Sequence, residues 1–285
     1  MGICNKIALF LISSVFVLLS CHKKETLQVD NESQSVVDNA IADQEFMWIV
    51  PTVQQHAANT KGTGAQGKSF ATSCDTLQTL SGDTLWGMSG HIKDPIYQLN
   101  ISNSACSLTS ADNKLRTGLV TVKLTNRLKN PGATMIIKLL NYKADNLEYY
   151  CDSMIVTTVA SNTLFTTYNI KIINSAVKIG SSFTIKYSLD RTITNYYNGN
   201  PLGTNAYVSI YGSSSGTNRH GKLYTTNVSS GTPLIKHKNC RYIDTGLLEL
   251  SPQGFKPRIV DYGRGECDEE ATFLVNNNTI AFKLK

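Results

Sequence analysis

Charge is scarce in this chain of 285 residues: Asp, Glu, Lys and Arg together make up 17%, against roughly 25% in an average soluble protein. That excludes a disordered polyelectrolyte. Blocks of one sign are missing too. The net charge is +6, but Lys123, Lys138, Lys171 and Lys186 stand singly, so no groove for nucleic acid is expected. Long apolar runs are absent: the stretch Ile7 to Leu19 falls short of the roughly 20 residues that cross a bilayer, which excludes a multi-span membrane protein. No Cys-x-x-Cys occurs, and His22, His56, His91, His220 and His237 are dispersed without a His-Glu-x-x-His pair. A zinc ribbon, a redox dithiol and a zinc hydrolase therefore have nothing to stand on, and neither metal nor cofactor is expected.

What is there begins with an export signal. Lys6 precedes the apolar stretch, and Leu18-Leu19-Ser20-Cys21 follows it. This order resembles the bacterial lipobox, which implies cleavage before Cys21 and acylation of its thiol. Several acyl chains, at about 0.8 kcal/mol per buried CH₂, hold a protein stably on a membrane. His22 stands where an Asp would favour inner-membrane retention, so the resemblance implies an outer-membrane lipoprotein, facing either the periplasm or the cell surface.

Seven cysteines are present. Cys4 leaves with the signal and Cys21 takes the lipid, leaving Cys74, Cys106, Cys151, Cys240 and Cys267. An exported chain meets an oxidising compartment, so disulfides are expected. In Cys74/Cys106 and in Cys240/Cys267 the first Cys opens a strand and the second precedes an Asp-containing loop. These are the expected bridges, and Cys151 is the expected free thiol.

Residues 21–33 are polar and aperiodic, a tether. Val36, Val37, Ala40, Ile41 and Phe46 recur at helical spacing and predict a helix over 34–50 stopping near Pro51, with a further turn possible in a helical segment reaching residue 58. Residues 59–73 form a Gly-rich linker. From Cys74 the period becomes two: Val120, Val122 and Leu124, then Phe183, Ile185, Tyr187 and Leu189, then Ile280, Phe282 and Leu284 alternate with polar residues. Turn signals such as Asn130-Pro131-Gly132 and Asn276-Asn277-Asn278 separate the runs. Residues 74–285 thus predict a mainly β domain of about a dozen antiparallel strands, as one large curved sheet or a sandwich. No long helical pattern lies between the strands, which excludes a parallel α/β fold.

Three segments match motifs of chemistry. Gly62 to Ser69 fits the phosphate-loop expression, but it lacks the core strand before and the helix after that would aim N–H groups at an anion. It reads as linker, and no nucleotide is expected. Gly212-Ser213-Ser214-Ser215-Gly216 fits the nucleophile-elbow pattern, which works only on a strand-to-helix turn. It reads as a hairpin loop of small residues. Asp261 to Glu270 concentrates five carboxylates. Asp261, Asp268 and Glu270 are the candidate ligands of a cation, whereas a pinned structural turn accounts for the cluster without one.

The stretch Cys240-Arg241-Tyr242-Ile243, then Asp261-Tyr262-Gly263-Arg264-Gly265-Glu266-Cys267-Asp268-Glu269-Glu270-Ala271, resembles an uncharacterised family of exported lipoproteins from the Bacteroidetes. Arg116-Thr117-Gly118, Asn141-Tyr142 and Gly216-Thr217-Asn218-x-x-Gly221 carry the likeness across most of residues 74–285. The resemblance implies an exported, lipid-anchored β protein and brings no established activity with it; no convergent catalytic set stands in the sequence, so no catalytic residue is expected. Arg264 and Glu269 depart from the acidic residue and the Asn common there, which weakens a carried-over ion site. The expected function is a non-enzymatic binding or structural module whose outer face, with Tyr149, Tyr150, Tyr168, Tyr187, Tyr207 and Tyr211 as candidates, meets a glycan or a protein partner. Two alternatives are a carrier holding an apolar ligand in the curve of the sheet, with the helix as plug, and an extracytoplasmic hydrolase built on Ser214 or the acidic cluster.

Overall fold

The computed structural model describes residues 30–59, 76–81, 96–102, 114–197, 206–238 and 240–284. Cys21, the Gly62–Ser69 segment, Cys74 and Cys106 lie outside the described residues. A helix, α1 (Gln34–Asn59), comes first. The short strands β1 (Thr76–Ser81), β2 (Ile96–Ser102) and β3 (Arg116–Leu124) follow. The long ones come next: β4 (Thr134–Ala144), β5 (Leu147–Ser161), β6 (Phe165–Ile179), β7 (Phe183–Tyr196) and β8 (Tyr207–Thr217). Then come β9 (Leu223–Val228), β10 (Leu234–His237), β11 (Thr245–Pro252), β12 (Arg258–Arg264), β13 (Glu270–Val275) and β14 (Asn278–Lys283).

All fourteen belong to one antiparallel sheet, mostly a meander in chain order. The expected β fold is present, as a single sheet and not a sandwich. β9 and β10 act as two halves of one broken strand. Val228 pairs Gly212 and Leu234 pairs Ile210, so both halves lie along β8, and β11 closes over both from the other side. The period-two pattern works as the sequence implies. In β9, Tyr224, Thr226 and Val228 point inward and are buried, while Leu223, Thr225 and Asn227 point out. The β13–β14 turn uses Asn276 and Asn277 at φ 50° and 66°, the left-handed pair that a two-residue hairpin of matching twist requires.

The helix runs on through Pro51 to Asn59, further than 34–50. Pro51 is exposed and removes one backbone hydrogen bond. Thr52 Oγ1 donates to the Trp48 carbonyl at 3.0 Å beside it, and buried Ile49, Val50 and Val53 on both sides keep the helix in contact with the core.

Where α1 sits follows from its partners. Its N-terminal approach meets β12, through Arg258 Nη2 donating to the Glu32 carbonyl at 3.0 Å. Glu45, about 20 Å along the helix, meets Arg116 of β3. In a flat sheet β3 and β12 would stand about 40 Å apart. Both reach one helix because the sheet curls around it. Phe46 fills the centre, stacked on Tyr187 at 5.6 Å and edge-on to Tyr149 at 5.7 Å. Among the described residues no helix is long and apolar enough to cross a membrane.

Candidate functional site: a sealed charged interior and an outer groove

The inner face of the sheet carries charge where the period predicts apolar side chains. Arg191 continues the inward series Ile185, Tyr187, Leu189 on β7 and is buried. Its Nη1 lies 2.7 Å from both carboxylate oxygens of Asp43, and Tyr187 Oη donates to Asp43 at 2.6 Å. Glu45 accepts from Arg116 Nε at 2.7 Å and Nη2 at 2.9 Å, from Tyr142 Oη at 2.6 Å and from Lys114 Nζ at 3.2 Å. The Arg116 guanidinium also lies 3.4 Å over the Trp48 ring. Asp38 accepts from the backbone N–H and Nε of Arg219 at 2.7 and 2.8 Å. Three carboxylates of one helix are thus matched to Arg116 of β3, Arg191 of β7 and Arg219 of the β8–β9 turn. Removing two opposite charges from water costs several kcal/mol per ion, offset only where geometry and added hydrogen bonds are good, as they are around Glu45.

Two glycines make this possible. Gly212, at φ 118°, pairs with Arg191, and a Cβ there would stand 2.6 Å from the Asp190 carbonyl oxygen and 2.9 Å from Arg191 Cα. Gly118, at φ 124°, faces a bulge at Asn141, where a Cβ would come 2.6 Å from Tyr142 Cα. Bulges of this kind re-aim side chains; this one turns Tyr142 onto Glu45. Burial, and then the nearby carboxylate, push the Tyr142 and Tyr187 phenols well above the ordinary tyrosine value.

The Gly212–Gly216 segment is not the expected hairpin loop. It is the interior of β8, because Gly212 and Gly216 are needed for close approach to Arg191 and Tyr224. Ser214 is buried; its Oγ donates to Asn39 Oδ1 at 3.1 Å and shares a 2.6 Å bond with Thr226 Oγ1. Neither partner is a base, so the serine hydrolase reading loses its nucleophile. The curve of the sheet is likewise filled: α1 occupies the space that an apolar ligand would take.

The tyrosines divide between the two faces. Tyr149, Tyr168 and Tyr187 are buried, which corrects their expected place on the outer face, while Tyr150 is exposed and Tyr207 and Tyr211 are half-buried. Adjacent Tyr149 and Tyr150 must point to opposite faces of β5.

The acidic loop is a structural turn. Asp261 Oδ1 accepts from Gly263 N at 2.9 Å, Glu266 Oε2 from Arg264 N at 2.7 Å and Asp268 Oδ1 from Glu270 N at 3.0 Å. The backbone N–H of Arg264, and then that of Glu266 itself, draw the exposed Glu266 carboxyl below its usual value. Asp261, Asp268 and Glu270 do not converge into one ligand set. Cys240 and Cys267 form the expected disulfide, with Cα atoms 4.9 Å apart, and Cys151 is a free, buried thiol.

The outer face holds a cleft of about 840 Å³ across β6 to β9 and β11. Lys186, Ser188, Ser215, Thr217, Leu223 and Thr225 line it with outward-pointing side chains. Aromatic rings stand next to it. Phe183, on the strand that carries Lys186, meets His220 edge-on at 6.1 Å. Phe255, just past the groove residue Gln253, lies under the Lys222 ammonium at 4.3 Å. Sequence reasoning missed this groove, because its residues come from five strands and share no spacing.

No protein-family model, curated protein or solved structure matches the chain.

Proposed function

We propose that the protein is an exported lipoprotein, acylated at Cys21 and held on the outer membrane, that acts without catalysis by binding a glycan in the outer-face groove. The observation that carries this reading is the contrast between the two faces. The inner face is taken up by α1 and its ion pairs, and a groove opens on the outer face. Its lining suits a carbohydrate: hydroxyls of Ser188, Ser215, Thr217 and Thr225 can exchange hydrogen bonds with sugar hydroxyls, and half-exposed Leu223 offers an apolar patch for a sugar's C–H face. A volume of about 840 Å³ lies within the range of small-ligand sites and suits several linked sugar rings better than one.

Native affinity electrophoresis through gels containing neutral or acidic polysaccharides tests the groove. Retardation by at least one polysaccharide, abolished by Thr225→Trp and Ser215→Trp, is expected. Retardation unchanged by both substitutions would refute the site, and no retardation by any polysaccharide would refute the ligand class. The anchor is tested separately: labelled palmitate should enter the intact protein and not Cys21→Ala.

A further inference from the structure

The end of β10 and the loop after it bring three metal-ligating side chains together, and a disulfide ties a fourth, from the loop between β12 and β13, to one of them. A His237 ring nitrogen, Cys240 Sγ and an Asp244 carboxylate oxygen all lie within 4.8 Å of one another. The fourth, Cys267, is joined to Cys240 through its sulfur. His237 Nδ1 stands 3.0 and 3.1 Å from the two oxygens of Asp244. A tetrahedral zinc at about 2.0–2.2 Å from nitrogen and oxygen spans an N···O edge of about 3.3–3.6 Å, so the imidazole and carboxylate, paired directly here, would part by a few tenths of an ångström to admit it. Asp244 is buried and held by the His237 backbone N–H at 3.0 Å and the Thr245 hydroxyl at 3.1 Å. Such outer partners are what fix a ligating carboxylate.

Backbone hydrogen bonds hold these loops alongside the disulfide. Gly265 N donates to the Asp244 carbonyl at 2.8 Å, Cys240 N to the His237 carbonyl at 3.0 Å and Asp244 N to the Ile235 carbonyl at 3.0 Å. None of these bonds passes through the sulfurs, and the first ties the two loops together two residues from Cys267.

We propose that the reduced protein carries a zinc-type site made of His237, Cys240, Asp244 and Cys267, so that this clasp closes either by a disulfide or by a divalent metal. A phosphine reductant and water convert the disulfide to two thiols, the phosphine leaving as its oxide with the oxygen atom of the water. The cation then binds as both thiols release their protons, to the neutral imidazole and the carboxylate already in place. Two sulfurs, one nitrogen and one oxygen around a tetrahedron suit zinc and cobalt(II) and disfavour magnesium or calcium, which take oxygen. This site is independent of the groove and of any ligand bound there.

The test uses the full chain with Cys4, Cys21, Cys74 and Cys106 changed to Ser, reduced by a phosphine under nitrogen and titrated with cobalt(II). Binding at one equivalent is expected, with thiolate-to-cobalt charge transfer, tetrahedral d–d bands and displacement by zinc. The oxidised protein should show none of these. His237→Ala and Asp244→Ala should each weaken binding by about tenfold or more, and Cys267→Ser should remove half the charge-transfer intensity. Should the reduced chain lose its β circular dichroism, zinc must restore it. The proposal is overturned if reduced protein shows no thiolate–cobalt band, if His237→Ala and Asp244→Ala both leave the band unchanged, or if zinc fails to restore an unfolded reduced chain.

Discussion

Arg191 Nη1 sits 2.7 Å from both carboxylate oxygens of Asp43, a residue 148 positions earlier in the chain. Among the described residues Arg191 Nε and Nη2 have no protein partner, so the Asp43 carboxylate, steadied by the Tyr187 hydroxyl, is the described counter-charge of this buried guanidinium. Removing one member of such a pair typically costs about 3–5 kcal/mol, whereas replacing both by apolar groups is often neutral. Asp43→Ala should therefore lower the thermal midpoint sharply, and Asp43→Leu with Arg191→Met should recover most of the loss. A double variant less stable than Asp43→Ala would show that the pair does more than neutralise itself.

Gly212→Ala should destabilise by more than about 1 kcal/mol, because alanine at positive φ is strained and its Cβ would press on Asp190 and Arg191. Ser213→Ala, on the neighbouring exposed position, should be nearly silent. Urea unfolding of both variants checks this, and equal midpoints would contradict the packing argument.

The phenols of Tyr142, Tyr149, Tyr187, Tyr224 and Tyr262 are all raised, burial being the first cause in each. A raised folded value means that stability is fully present below the unfolded tyrosine value near about 10 and is lost as pH climbs above it. Phenolate absorbance should rise in two stages, exposed tyrosines first and these five together with unfolding. A single smooth titration with the fold intact would be the contrary result.

Cys151 has its thiol pushed up to about 12, mainly by burial. Protonated and shielded, it should resist iodoacetamide in the native protein at neutral pH and react at once in denaturant. Non-reducing peptide mapping of the same sample should recover Cys240 joined to Cys267. Fast native alkylation of Cys151 would disprove its burial.

Much of the fold was legible. Alternation located β3, β7 and β14, the Asn and Gly turns ended strands where expected, and Cys240 with Cys267 stood out by their matching surroundings. The helix was found from Val36, Ala40 and Phe46, and the helical segment reaching residue 58 matches its end, but the stop expected near Pro51 is absent, since a proline signals a stop only when packing on both sides does not override it. Ser214 was misread as a loop because small residues look alike in a turn and in a strand that must pass close to Arg191.

What the sequence by itself determined is therefore local: the period of each strand, the turns, the helix and the disulfide partners, each written within about thirty residues. What only the tertiary structure decided is which polar residues belong inside. Asp38, Asp43 and Glu45 look like the solvated side of a short helix, yet their arginines lie 181, 148 and 71 residues away. An ion pair across such separations leaves no periodicity to read. It becomes visible once the sheet has curled around the helix, and by then the same contacts have sealed the inner face and left the groove outside.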